Sequence, residues 1–358
     1  MRSKYIHPYY IIAPPYNRTS AGVRVLYKLA DLINKNGGSA FIYLRPHYTH
    51  SKAMSPNDVA PFLSKKVINH HFKYGLTPIV VYPETMKVKK FDPPLRVRYF
   101  LNYDNYLFKN DSYAEDDYLL TYSLNILKKL TGITPKSKLF LPVSDHNFYH
   151  PPPPGNSRSG SCFYAGKFKS KFKGKPFAIT DGMVEITRDK KDSQSQIDIK
   201  RLFQNSEFFY CYEDSALAIE AMLCGCPTIF LPNKHFKEML GGEEISGIGY
   251  AWGYDQNQIQ HAMDTVHLFR ERYIKLLENA EDSLIEFMEN TQKIAENTEY
   301  KKPFLSDIKM GPGISSHFLD VVLFIKEIIE DIGTWATLEI ILRRLKTKRT
   351  SITSDQSD

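Results

Sequence analysis

The segment Glu207–Pro232, which reads EFFYCYEDSALAIEAMLCGCPTIFLP, decides the fold. An apolar strand runs into an acidic and hydroxyl-bearing turn, and a helix, a glycine turn and a second apolar strand follow. The pattern predicts strands at 207–212 and 228–231 and a helix at 215–224. This order of elements is typical of a parallel sheet flanked by helices.

The start of the predicted helix has the chemistry of an anion site. Helix N-termini offer unpaired amide groups and the positive end of the helix dipole, which suits a diphosphate. Candidate residues at this end are Glu213, Asp214, Ser215 and Ala216, of which the first three are also candidate caps. Glu220 lies inside the same apolar helix, where a carboxylate without a partner is costly. A ribose diol, which presents two hydroxyl donors, is a natural partner for it.

The same alternation of strand-like and amphipathic segments extends along the chain and predicts an α/β fold. Before residue 150, the sequence predicts a helix at 20–36 and strands at 9–13, 40–44, 78–82, 97–102, 118–122 and 139–143. After residue 160, it predicts a strand at 161–165, a helix at 194–205 and a helical stretch of one or two helices at 256–297.

A proline-rich linker separates the two halves. The segment 151–160 begins with four consecutive prolines and continues with glycine, asparagine and serine, so it forms neither helix nor sheet. The expected division is an N-terminal Rossmann-like domain at 1–150, a C-terminal Rossmann-like domain at 151–298 and a helical extension at 299–358.

The run Glu220–Pro227, reading EAMLCGCP, resembles the EAMxCGxP signature of GT-B glycosyltransferases, especially retaining family 4 and related bacterial polysaccharide transferases. The resemblance implies two Rossmann-like domains that face each other across a cleft. It also implies that Glu220 binds the donor ribose and that the preceding helix start meets the pyrophosphate. Tyr212 stands where that family usually has a second glutamate, with Glu213 and Asp214 directly after it.

A second match, CFYAGK at 162–167, resembles the strand that opens the C-terminal domain of these transferases. By this resemblance, Gly166 borders the donor, while Lys167 and Lys173 are the catalytic basic pair that neutralises the diphosphate. Other lysines compete for the second position: Lys169, Lys171 and Lys175. The alternative is a solvated basic loop without a function.

A third match, PPYNRTSAGVR at 14–24, resembles the small-residue loop that follows the first strand of this fold. The resemblance places Asn17, Ser20 and Gly22 in a cleft loop and gives Arg24 a catalytic contact with a phosphate or the acceptor. Asn17 could instead only cap the helix. Asp104, in the sequence NYDN, is a candidate for the same cleft or for a plain turn.

Together the matches imply an enzyme that transfers a sugar from a nucleotide diphosphate or monophosphate donor to a glycan or lipid-linked acceptor. Cell-envelope polysaccharide synthesis with retention of configuration is the expected setting, without a metal or cofactor. Two alternatives stay open: a sugar-nucleotide epimerase of the same fold, and a nucleic-acid-binding protein that uses the basic segments. The aromatic residues are not interleaved with basic ones in a nucleic-acid-binding pattern, so nucleic acid is not an expected partner.

Composition and charge narrow the class of protein further. With 42% hydrophobic and 24% charged residues, the chain is expected to be folded, and its net charge of +7 favours an anionic ligand. The four cysteines lack zinc-site spacing and are expected to be reduced core residues. No signal-peptide pattern is present, which predicts a cytoplasmic protein. The basic amphipathic segment 317–349 could lie on an anionic membrane surface or pack against the N-terminal lobe.

The remaining polar clusters are weaker candidates for a binding or catalytic site. Glu115, Asp116 and Asp117 precede a predicted strand, a position that argues against the metal-binding motif of GT-A enzymes. His70 and His71 lack a ligand at metal-site spacing and are expected at the surface. Two further residues are candidates for the edge of the site: Asp145 and Arg188.

Overall fold

The apolar runs predicted as strands form two separate sheets in the computed structural model. The structure describes residues 4–45, 60–86, 93–103, 116–130, 137–188 and 192–303. Contacts divide the chain into two units. The first unit contains the described residues within Met1–Thr121 and Leu130–Ser137 and those from Leu284 onward. The second unit contains Tyr122–Lys129 and Lys138–Ser283.

The sheet of the first unit has the order β2-β1-β3-β4-β5-β6. The pairings that join β1 to β2 and β3, and β4 to β3 and β5, are all parallel. Buried aliphatic and aromatic side chains occupy both faces of these strands, as in sheets covered on two sides. The strands are β1 (Tyr9–Ala13), β2 (Ala40–Leu44), β3 (Ile79–Pro83), β4 (Leu95–Phe100), β5 (Tyr118–Thr121) and β6 (Ser137–Lys138).

Helix α1 (Ala21–Lys35) follows β1 and packs on β1 and β2. Ser20 caps it by accepting a hydrogen bond from the amide of Val23, and its buried face consists of aliphatic residues and Tyr27. Helix α2 (Lys65–Lys73) precedes β3 and buries Ile68 and His71. The predicted helix at 20–36 is therefore confirmed, whereas α2 was not predicted.

The sheet of the second unit has the order β11-β10-β9-β7-β8, and the pairings that join β10 to β11 and β9, and β7 to β8 and β9, are all parallel. Two apolar clusters cover its faces, one containing Phe203 and Phe209 and the other Phe168 and Tyr212. The strands are β7 (Ser161–Tyr164), β8 (Val184–Glu185), β9 (Phe208–Cys211), β10 (Thr228–Phe230) and β11 (Tyr250–Trp252).

The helices of the second unit connect these strands. They are α3 (Leu124–Lys129), α4 (Gly166–Ser170), α5 (Gln196–Asn205), α6 (Ala216–Leu223), α7 (Gly242–Ile245) and α8 (Gln256–Thr265). Helix α9 (Phe269–Glu296) begins in the second unit, and its residues from Leu284 onward are grouped with the first. The predicted α/β class, with two sheets of parallel strands and flanking helices, is thus confirmed.

One predicted strand, at 139–143, is wrong. The segment is buried at Leu139 and Leu141 but has no strand assignment, and only the two residues of β6 before it join the sheet. Pro142 cannot donate a ladder hydrogen bond, and Phe140 packs on the ring of Tyr122 with centroids 4.6 Å apart. Burial in an irregular segment therefore produces the same apolar pattern as a strand.

The proline-rich segment 151–160 contains no helix or strand, as predicted. Contacts group residues 138–150 with the second unit and residues from 284 onward with the first. The division into domains at 150 and 298 stays a prediction.

All four cysteines are buried and free, as predicted: Cys162, Cys211, Cys224 and Cys226. Burial raises the pKa of the Cys162 thiol to about 12, so this side chain remains a neutral core residue. Among the described helices, none combines the length and apolar character that crossing a bilayer requires. The helical segment expected at 317–349 lies outside the described residues.

Candidate functional site

The second sheet has a switch point between β7 and β9. The chain passes from β7 to β8 on one side and then returns to β9 on the other side, so the direction of strand addition reverses at β7. In parallel α/β sheets, ligands bind beside the carboxyl ends of the strands at such a point. The residues after β7, β8 and β9 therefore form the candidate site.

Gly166 and Lys167 follow β7 directly and begin α4. A Cβ atom on Gly166 would lie 2.1 Å from the hydroxyl oxygen of Tyr164, so only glycine fits against this ring. Lys167 is half-buried, and its ammonium group forms no hydrogen bond or ion pair with the described residues. A half-buried ammonium group at this edge is suited to an anionic ligand.

Glu213 follows β9 and is buried against the start of α4. Its Oε2 atom accepts hydrogen bonds from the amides of Lys167 and Phe168, the latter at 3.1 Å. Burial raises the pKa of this carboxyl, although Lys167 and the two amides oppose the shift. Glu213 therefore caps α4, and the expectation that it caps α6 is wrong.

Asp214 and Ser215 accept hydrogen bonds from different backbone amides at this turn. Asp214 Oδ2 accepts a hydrogen bond from the amide of Leu240, and burial raises the pKa of its carboxyl to about 6. Ser215 Oγ accepts from the amide of Leu217 at 3.3 Å, which makes it the cap of α6. The Ala216 amide, at the first position of α6, forms no hydrogen bond with the described residues.

Glu220 lies on α6 and is only 4% exposed. The Ser144 hydroxyl donates to Glu220 Oε1 at 3.5 Å, at the long limit for a hydrogen bond. The backbone carbonyl of Ser144 in turn accepts a bond of 2.8 Å from the hydroxyl of Tyr273. The expectation of a buried, partnered carboxylate on this helix is confirmed, and Ser144 was not predicted to be the partner.

Arg188 follows β8, beside the carboxyl end of β7. Its guanidinium group lies 4.8 Å from the centroid of the Tyr164 ring, and Nη2 donates to the Tyr164 hydroxyl at 3.1 Å. Burial lowers the pKa of Arg188, but Tyr164 and, more weakly, Glu220 and Glu213 raise it above its ordinary value. Sequence reasoning placed Arg188 only at the edge of the site, because no motif links it to β7.

The basic loop after α4 contains Lys173, the second member of the expected basic pair. Lys173 is exposed, has a left-handed backbone with φ of 57°, and donates from Nζ to the carbonyl of Ser170 at 3.0 Å. Lys169 is paired with Glu185 at 2.7 Å. Gly174 fits against the ring of Phe168, where a Cβ would come within 2.3 Å.

The other cleft-loop candidates belong to the first unit. Ser20 caps α1, and Asn17 Oδ1 accepts from the amide and hydroxyl of Thr19 at 2.9 and 2.8 Å. A Cβ on Gly22 would make ordinary contact with Leu101 at 3.7 Å, and Arg24 is half-buried within α1. Asp104 lies outside the described residues.

The weaker clusters have local roles in the structure. Asp117 pairs with Arg96 at 2.5 Å, and Asp116 also pairs with Arg96. Asp145 Oδ1 accepts from the amides of Asn147 and Phe148 and stabilises a turn.

The expectation of surface histidines is wrong for His71. This side chain is buried, its Nδ1 atom lies 2.8 Å from the Tyr10 hydroxyl, and burial lowers its pKa to about 4. His70, by contrast, is exposed. Among the described residues, no group of three or more metal-ligating side chains is arranged to hold an ion.

No family model matches the chain, and no curated protein matches it. Solved structures similar to this chain include several glycosyltransferases. The spinosyn forosaminyltransferase SpnP is 10% identical with a TM-score of 0.45, over 81% of this chain and 99% of its own. WaaG, a glycosyltransferase involved in lipopolysaccharide biosynthesis, is 10% identical with a TM-score of 0.42, over 80% and 99%. SnogD from Streptomyces nogalater is 10% identical with a TM-score of 0.40, over 82% and 100%.

A related rhamnosyltransferase, SpnG, was solved in complex with thymidine diphosphate; it is 10% identical to this chain with a TM-score of 0.38. Overlap at this level decides neither activity nor substrate.

Proposed function

We propose that this protein is a glycosyltransferase whose second unit binds a nucleoside diphosphate sugar. The observation that carries the proposal is Glu220, a buried carboxylate on an otherwise apolar helix beside the switch point of a parallel sheet. A buried carboxylate is retained at a cost, and two vicinal hydroxyl donors would offset that cost. A ribose supplies such a pair of donors.

The residues around Glu220 fit the remainder of such a donor. Lys167 brings an uncommitted positive charge to the end of β7, and the amide of Ala216 opens the first turn of α6. Both groups suit a diphosphate. In the transfer step, an acceptor hydroxyl oxygen bonds to the anomeric carbon while the bond from that carbon to the diphosphate oxygen breaks. The nucleoside diphosphate leaves with the electron pair, and the acceptor proton passes to a base.

Positive charge next to the diphosphate accelerates this step because negative charge grows on the leaving group. Lys167 is the residue to which we assign this role, and the proposal requires no metal ion. Arg24 in the first unit is proposed to contact the acceptor or a phosphate, on the strength of the loop resemblance alone.

The finer assignments rest on the resemblance of the EAMLCGCP segment. By that resemblance we propose transfer with retention to a glycan or lipid-linked acceptor in cell-envelope polysaccharide synthesis. A cytoplasmic protein, held peripherally at the membrane through residues 317–349, fits such an acceptor. Within the described residues, no observation favours the epimerase or nucleic-acid-binding alternatives.

Isothermal titration with UDP, GDP, ADP, CDP and dTDP tests the donor site. We expect one of these ligands to bind, and Glu220→Gln to weaken that binding about 10-fold or more, because a ribose hydroxyl loses a charged acceptor. The matched control is Glu207→Gln, which removes an exposed carboxylate just before β9 and should leave affinity within about twofold. The proposal is wrong if no diphosphate binds, or if both variants bind as the wild type does.

A further inference from the structure

Arg188 lies where the carboxyl ends of two strands meet. It follows β8, which pairs in parallel with β7 through Cys162 with Val184 and Phe163 with Glu185. Because parallel strands end at the same edge, Arg188 comes beside Tyr164, the last residue of β7. Gly166 and Lys167 follow Tyr164 directly, so Arg188 shares the edge that the proposed donor occupies.

The guanidinium group of Arg188 is held in place but not neutralised by direct contact. It stacks 4.8 Å from the Tyr164 centroid and donates from Nη2 to the hydroxyl of that residue. Its Nε atom is buried without a hydrogen-bond partner, and within the described part of the chain Arg188 forms no salt bridge. A buried donor without an acceptor is unfavourable, and Nη1 also forms no hydrogen bond with the described residues, which leaves it for an anionic ligand.

Acidic residues nearby keep this position suitable for a cation. Glu213 and Glu220 act on Arg188 from a distance, outside the range of an ion pair. Glu213 is committed to the amides of Lys167 and Phe168, and Glu220 has Ser144 within 3.5 Å. The planar fork of donors on Arg188 is therefore available to a ligand with several oxygen acceptors in one plane.

The competing lysines are less suited to a ligand at this edge. Lys173 is exposed and donates to the carbonyl of Ser170 in its own loop. Lys169 is ion-paired with Glu185. Of these three basic residues, only Arg188 combines partial burial, a fixed orientation and an unused donor.

We propose that Arg188, rather than Lys173, supplies the second positive charge that binds the diphosphate of the donor. This inference rests on the proposed function and adds to it the residue that completes the basic pair with Lys167. The stacked ring of Tyr164 fixes the guanidinium group, and the small Gly166 leaves room for that ring.

The test measures affinity for the tightest-binding member of the UDP, GDP, ADP, CDP and dTDP panel, and for the matching nucleoside by ligand-observed NMR. We expect Arg188→Gln to weaken diphosphate binding about 10- to 100-fold while nucleoside binding changes less than about threefold, because only the phosphates lose a partner. Arg188→Lys keeps the charge but not the planar set of guanidinium donors, so it should lose less affinity for the diphosphate than Arg188→Gln. Lys173→Gln should also lose less affinity than Arg188→Gln.

The matched control is Arg201→Gln, which removes an exposed arginine from α5 and should bind the diphosphate as the wild type does. Thermal unfolding of each variant checks that the fold is retained. If Arg188→Gln does not fold, the affinity of Arg188→Lys for the diphosphate is measured instead. Wild-type affinity in Arg188→Gln, with binding still weakened in Glu220→Gln, overturns the inference and leaves the proposed function standing. Absence of diphosphate binding by the wild type overturns both.

Discussion

At the residue scale, Asp214 connects the site to stability. Its carboxyl has a pKa of about 6 because it is buried, so the folded protein keeps a proton between about pH 4 and pH 6 that the unfolded chain has lost. The contribution of this group to stability therefore falls as pH rises through that window. We expect Asp214→Asn to raise the free energy of unfolding above pH 6 by about 1 to 3 kcal/mol and to change it little near pH 4. Urea denaturation at four pH values checks this.

Asp198 is the control, because its pKa is lowered whereas that of Asp214 is raised. It accepts hydrogen bonds from the hydroxyl and amide of Ser195 in the capping box of α5, and the hydroxyl bond is the main cause of its lowered pKa. A depressed pKa contributes stability above the unfolded value that is lost as pH falls. Asp198→Asn should therefore destabilise the protein at neutral pH and not at low pH. Identical pH dependence in both variants would contradict the assignment of a buried carboxyl at residue 214.

Individual residues of the site could be predicted where the chain makes local contacts, and not where distant segments meet. Ser215 was identifiable as a helix cap because capping acts within three residues. Glu213 has the same local signal, yet it binds the amides of α4, 46 residues away in sequence. Arg188 reaches the site only through strand order, which its own segment does not encode.

At the element scale, Arg158 joins the proline-rich linker to two helices. It donates to the carbonyls of Phe203 and Ser206 at the end of α5 and to that of Cys224 at the end of α6, at 2.7, 3.0 and 2.7 Å. A cation is favourable at helix C-termini, where carbonyls lack partners. We expect Arg158→Ala to lower the free energy of unfolding by about 2 to 4 kcal/mol, because three charge-assisted bonds are lost.

Urea denaturation measures this change, with a shifted midpoint and an unchanged slope as the expected signature. Arg158→Lys should recover part of the loss, since lysine keeps the charge but cannot donate to three carbonyls in one plane. Arg201→Ala, on the exposed face of α5, should change stability by less than about 0.5 kcal/mol. An equal effect of both alanine substitutions would show that the linker contacts are not stabilising.

Elements with a full apolar period were predictable, and the shortest helices were not. Helix α1 and strand β1 were predicted within one residue at each end, because each has a clear period and a turn on either side. Helices α4 and α7 have five and four residues, too few to show a helical period. The error at 139–143 arose because the segment is apolar and buried at Leu139 and Leu141 although it is not a strand.

At the scale of the whole molecule, the donor-binding residues assigned from α4 to α6 belong to one of the two units. Each unit has its own parallel sheet, and the donor residues assigned from α4 to α6 all lie in the second. A ligand that binds only the folded second unit adds about 2.7 kcal/mol to its stability at a concentration 100 times its dissociation constant. Sequence patterning predicted two sheets, but it does not encode which contacts group the segments into units.

Hydrogen exchange followed by mass spectrometry should therefore show which of the two units the diphosphate stabilises. With saturating diphosphate, amides of β7 and β9 that exchange through unfolding of the second unit should gain up to about 100-fold protection. Amides of β1 and β3 in the first unit should change much less. Glu220→Gln at the same ligand concentration should keep only about one tenth of that gain in β7 and β9, because the ligand is then at about 10 times the dissociation constant of the weakened site. A gain confined to β1 and β3 would place the ligand in the first unit, and the residues around Glu220 would then lack the role proposed for them.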